Sequence, residues 1–148
     1  MSSFRYPLVA LERLYESRLD ECRLELIRCR HACDDIEAEL ARLKAAAAEV
    51  SASWQAGAAR HGVDPVSHGV ALRYLTVAQK SLEECGRRKI EADAAYEQSL
   101  ETLGRAQCRM ERVRVHKARA RRAHEIEMNR LGQKEADADW LMRMGGEA

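Results

Sequence analysis

Three groups of residues have types and spacings that could do chemistry: a cysteine ladder, paired carboxylates and a run of arginines. Cys29-Arg30-His31-Ala32-Cys33 sets two thiols one helical turn apart, and Cys22 places a third on the same stripe. Zinc takes thiolate and imidazole ligands at such spacings. Yet Cys22, Cys29 and Cys33 occupy seam positions of a heptad, Cys85 falls on the facing seam, and His31 points elsewhere. A free cysteine in a seam behaves as a small hydrophobe, so packing outweighs metal binding. His61 and His68 each open a His-Gly-Val triplet beside a turn, where solvated histidines are far commoner than ligands.

The carboxylates offer less. Glu12-Glu16, Asp34-Asp35 and Glu83-Glu84 are pairs of the kind that helical surfaces carry beside Lys or Arg. The chain has no Gly-rich phosphate loop and no Gly-x-Ser-x-Gly elbow. Two helices alone also offer no concave, water-excluding pocket. An enzyme is the least expected class, with no catalytic residue, cofactor site or metal site assigned.

The arginines are concentrated. Residues 105 to 124 carry eight Arg/Lys and one acid, whereas 125 to 148 carry six acids against three bases. A basic belt thus runs into an acidic end, although the net charge is only +1. The core of the belt is Arg112-Val113-Arg114-Val115-His116-Lys117-Ala118-Arg119-Ala120-Arg121-Arg122. It lacks the interleaved aromatics and reading motifs of a nucleic-acid surface. A solvated helix face, or one that docks on an acidic protein, is the better reading, and nucleic acid is not an expected partner.

The elements that must position these residues are helices. Charged residues reach 33% and aromatics only 5%, with two prolines, so burial is expected along a narrow seam without a globular centre. Leu19, Leu26, Cys33, Leu40, Ala47 and Trp54 fall seven apart, with Cys22, Cys29, Ile36, Leu43 and Val50 three residues behind. This alternating 3-4 spacing predicts a first helix over about 8–56. A turn is expected over 57–64, because Asp64-Pro65 is a good N-cap followed by proline at the first helical position. The second helix, about 65–144, carries a weaker seam. It runs through Leu75, Ala78, Leu82, Cys85, Lys89, Ala92, Tyr96, Ser99, Leu103, Ala106, Met110 and Val113, then lands on Lys117, Ala120, His124 and Glu127.

The predicted fold is therefore all-α: a long antiparallel two-helix coiled-coil hairpin, one domain over 1–148, with the second helix overhanging. At 1.5 Å per residue the helices would be roughly 70 and 120 Å long. Folding back near residue 61 sets Leu43 by Ala78 or Gln79 and Leu8 by Arg114. Residues after about 118 are then expected to project unsupported, and such a helix frays or docks on something. The start of the chain lacks an apolar signal region and no stretch is long and apolar enough to span a bilayer, so a cytosolic protein without membrane insertion is expected. Five cysteines without a secreted-type framework fit a reducing compartment.

With hairpin, overhang and tail in place, the chain resembles the FliJ/YscO family of type III export stalk proteins. The likeness rests on the overall plan, on Leu8-Val9-Ala10-Leu11-Glu12-Arg13-Leu14, and on the tail from Glu127 to Trp140. There Gln133, Lys134 and Glu135 are followed by Asp139 and Trp140, as in the family's Gln-Lys-Glu/Lys, Asp and aromatic pattern. The resemblance implies a non-enzymatic stalk that inserts into a hexameric export ATPase and contacts the cytoplasmic domain of the export gate. Family members are also linked to handling of secretion chaperones. On that reading Gln133, Lys134, Glu135, Asp139 and Trp140 are partner-binding candidates. Arg112, Arg114, Arg119, Arg121 and Arg122 of the belt join them, because a rotor needs polar, sliding contacts. The mixed seam at Lys117, His124 and Glu127 departs from the family plan. The rival reading is a self-associating coiled-coil scaffold, which Trp54 and the unpaired seam of helix two would support.

Overall fold

The structure, a computed structural model, describes residues 3–146. Two helices, α1 (Val9–His61) and α2 (Pro65–Gly145), pack against each other as a hairpin, and the described residues include no strand. No helix is long and apolar enough to cross a membrane among these residues. Contacts divide the chain into two compact units, Met1–Asp20 with Gly104–Ala148, and Glu21–Leu103.

In the unit Glu21–Leu103, the seam lies where the 3-4 spacing puts it. Cys22, Leu26, Cys29, Cys33, Ile36, Leu40, Leu43, Ala47, Val50 and Trp54 of α1 are all half-buried. They face half-buried Leu75, Ala78, Leu82, Ala92 and Tyr96 and buried Cys85 and Ser99 on α2. The pairing is antiparallel: the Cys85 thiol donates to the Ile36 carbonyl at 3.8 Å, while the Trp54 and His68 rings lie 5.1 Å apart. Ser99 satisfies its hydroxyl on the Tyr96 carbonyl one turn back, at 2.7 Å. Lys89, the polar seam residue, reaches out to Glu37 at 3.1 Å, and that bond holds its ammonium pKa above the usual lysine value.

The turn is shorter than the predicted 57–64. α1 continues through Gly57 to His61, leaving only Gly62, Val63 and Asp64 between the helices. One glycine costs a helix only about 1 kcal/mol, and Ala56, Ala58 and Ala59 around it are the best helix formers. Gly62 ends the helix with φ of 78°, a left-handed conformation suited to glycine, and its N–H donates to the Ala58 carbonyl at 2.9 Å. Asp64 then caps α2. Its carboxylate accepts from the Ser67 hydroxyl at 2.8 Å and from the N–H groups of Ser67 and Val66 at 3.1 and 3.4 Å. Helical bonding begins at once, with the His68 N–H on the Asp64 carbonyl at 2.9 Å.

In the unit Met1–Asp20 with Gly104–Ala148, Leu19, Met110 and Val113 are buried. The expected limit of support near residue 118 is corrected here. The chain ahead of α1 is non-helical and lies over α2, with Tyr6 only 5% exposed. An extended residue advances about 3.3–3.6 Å against 1.5 Å in a helix, so a few residues cover several turns of α2. Lys117, Ala120, His124 and Met128 are half-covered, whereas Glu127 is exposed. From Asn129 to Gly146 every residue is exposed, and that is the true overhang.

Two outcomes follow for stability. Leu19→Ala should cost about 2–5 kcal/mol in denaturant melts, whereas Leu24→Ala, at an exposed position, should cost no more than about 0.5 kcal/mol. The Ser67 hydroxyl, followed by the Ser67 and Val66 N–H groups, holds the Asp64 carboxyl below its usual pKa. Its contribution is thus present above the unfolded carboxylate pKa and lost as pH falls through the lower folded one. Asp64→Ala should lower the melting midpoint at pH 7, followed by circular dichroism, and the gap to the parent should close in acid. A gap that is constant down to pH 2 would contradict the cap.

Candidate partner-binding surface

The basic belt lies on α2 within the unit that also holds Met1–Asp20. At 100° per residue its members divide between faces. Arg114 and Arg121, seven apart, are tied up along their own helix, with Glu111 at 3.8 Å and Glu125 at 3.1 Å. Lys117 turns to α1 and pairs with Glu12 at 2.8 Å. Arg112 and Arg119, also seven apart, and Arg122 beside them are exposed and make no ion pair among the described residues. The five predicted arginines are therefore two rows, one neutralised in place and one with open guanidinium groups.

The aromatic strap explains why the seam turns polar. The Tyr6 hydroxyl and His116 Nδ1 are 2.9 Å apart, and the Lys117 ammonium lies 5.7 Å from the Tyr6 ring centroid. Phe4 meets the His124 ring at 5.5 Å. Histidine and lysine suit a seam whose cover is two aromatic rings and a carboxylate, because each offers a π face or a charge to a cation or imidazole. Sequence reading missed this strap. Its signal was an aromatic pair, Phe4 and Tyr6, placed next to Pro7 in a chain with few aromatics.

The tail residues are not gathered into one patch. Gln133 and Trp140 share a face, being seven apart, while Lys134, Glu135 and Asp139 lie on other sides of the same bare helix. Near its end Trp140, Leu141, Met142 and Met144 are 59%, 63%, 78% and 56% exposed. At 100° per residue they spread over about 200° of the helix, and exposed Asp139 and Arg143 take the remaining side.

In the other unit, Val66, Val70, Tyr74 and Val77 of α2 form an exposed stripe at 3-4 spacing, out of phase with the seam, and Val63 of the turn is exposed just ahead of it. Beside it runs a groove of about 450 Å³ lined by Val50, Trp54, Val66 and Val70 among others. The spacing was readable, but the adjoining seam of Leu75, Ala78 and Leu82 drew the periodicity to itself. A second groove, of about 520 Å³, runs past Cys22, Leu24, Cys29 and Ser99. Cys33 beside it has its thiol pKa pushed up, by partial burial first and then by Asp93. A raised thiol is a poor nucleophile and a poor ligand. Among the described residues no three His, Cys, Asp or Glu side chains converge on a point where a metal could sit.

Tyr6→Ala should free the strap, and amide exchange should then quicken over 113–128 while 129–146 stays as fast as before. Unchanged exchange over 113–128 would show that the strap protects nothing. No known protein family, curated protein or solved structure matches this chain.

Proposed function

We propose that this protein is a non-enzymatic stalk of a type III secretion apparatus, cytoplasmic and peripheral to the membrane-embedded machine. Its bare α2 end enters the hexameric export ATPase, and the chain couples that ATPase to the cytoplasmic domain of the export gate. The observation that carries this reading is the end of α2 itself. An apolar surface that spreads over more than half of a helix wants cover from more than one side, and Trp140, Leu141, Met142 and Met144 stand uncovered together. A ring supplies such enclosure, where a flat surface covers one side only. The open guanidinium groups of Arg112, Arg119 and Arg122 suit polar contacts with the inner loops of a ring, since screened, solvated charges hold weakly and exchange easily.

Coupling needs a second grip. The valine stripe from Val66 to Val77 is a separate exposed apolar surface of the kind that marks a protein-docking site, and we assign it to the gate. Escort of secretion chaperones is a further role that the family resemblance suggests.

The test is a binding assay with the export ATPase and gate protein of the same genome, with mass followed by light scattering. Trp140→Ala should weaken ATPase binding by on the order of tenfold or more, as buried Trp anchors do. Charge reversal at Arg119, Arg121 and Arg122 should weaken ATPase binding and impair secretion, mainly through the open Arg119 and Arg122. Val66→Asp with Val70→Asp should spare the ATPase and lose the gate. Intact ATPase binding and secretion after the charge reversal would sink the belt as a contact, and unweakened ATPase binding by Trp140→Ala would sink the entry of the α2 end. A mass of two chains with no partner bound would shift it to a self-associating scaffold.

A further inference from the structure

The face of α2 turned away from α1 is basic over a long run. Arg112, Arg119, Arg122 and Arg130 stand on it, all exposed and none in an ion pair among the described residues. At 100° per residue they fall within about 80° of one another, roughly 160° round the helix from the seam of Met110, Val113 and His124. The first acid to share the face after Arg112 is Asp137. Glu111 and Glu125 lie to one side, neutralised by Arg114 and Arg121 at 3.8 and 3.1 Å, and Glu127 lies to the other. Val115 and Ile126 sit between the arginines, and Trp140 and Met144 end the same row, all four exposed.

We propose that this face lies along an anionic lipid bilayer, with α2 parallel to the surface and its arginines on the headgroup phosphates. Four open guanidinium groups with no acid among them fit a surface of the opposite sign, and they repel a second copy of the same face. The row is also straight. From Arg112 to Arg130 it runs roughly 27 Å along the helix, so a flat surface meets all four arginines at once. The curved backbone of a nucleic acid meets a straight rod only where the two cross. Val115 and Ile126 have no use on such a backbone. At a bilayer they sit beneath the headgroups, with the arginine stems lying along them and the Trp140 ring at the interface. No helix spans the membrane among the described residues, so the association is peripheral, and its charges make it sensitive to salt. It does not rest on the export reading. A chain on the bilayer has Trp140 and these arginines covered, so bilayer and ring are alternatives for one chain.

The test uses the purified full chain and vesicles, with no other protein. At low salt the chain should sediment with vesicles of phosphatidylglycerol and phosphatidylcholine in equal parts, and be released as salt is raised. With phosphatidylcholine alone it should stay in solution. Arg112→Glu with Arg119→Glu should weaken binding by about tenfold or more, since each basic residue adds to the attraction. Arg73→Glu with Lys80→Glu, exposed in the other unit and equal in net charge, should change it by no more than about twofold. With Trp54→Phe, Trp140 is the one tryptophan left, and its emission should shift to the blue on the charged vesicles. No sedimentation with those vesicles would overturn the proposal. So would equal weakening by the two double reversals, an unmoved Trp140 emission in the bound chain, or tighter binding to duplex DNA at the same salt.

Discussion

Two helices packed on each other can cover only one stripe of each, and the rest of both must stay in water or find another protein. Nearly every feature of this chain follows from that restriction. Seam residues such as Leu40 and Leu43 are only half-buried, because no third element closes over them. The buried side chains are few, and they sit where both helices, or the helix and the strap, press from two sides. Apolar residues off the seam are consequently exposed.

The strap shows how the same restriction shapes residue choice locally. Where α2 outruns α1, an extended segment takes over as cover, and the seam changes from leucine and methionine to lysine and histidine. Those polar residues are not failures of a coiled coil. They match Tyr6, Phe4 and Glu12, which supply ring faces, a hydroxyl and a carboxylate. Only beyond Met128 does α2 lose its cover altogether, and there the exposed apolar side chains stop following a single stripe.

The seam was legible because a heptad is a repeated signal: eleven positions from Leu19 to Trp54 agree, and no single residue has to be right. The Asp64-Pro65 cap was legible because a local bond between a carboxylate and the next turn decides it. The end of α1 was not, since Gly57 signals a break while the alanines around it favour the helix, and the balance is about 1 kcal/mol. The strap was hidden because it depends on contacts more than a hundred residues apart, such as Tyr6 with His116. For the candidate surface, the charge blocks could be counted in the sequence. Which arginines stay open could not, because pairing depends on rotamers and on the carboxylates one turn away.

The central claim is that the bare end of α2 is enclosed by a partner ring. Amide hydrogen exchange of the chain, alone and with the proposed partner, a hexameric export ATPase, tests it most directly. The account predicts fast exchange over 129–146 in the free chain and marked slowing there once the hexamer is added. Equal exchange of that segment in both states, at concentrations where the two proteins are shown to bind, would contradict it.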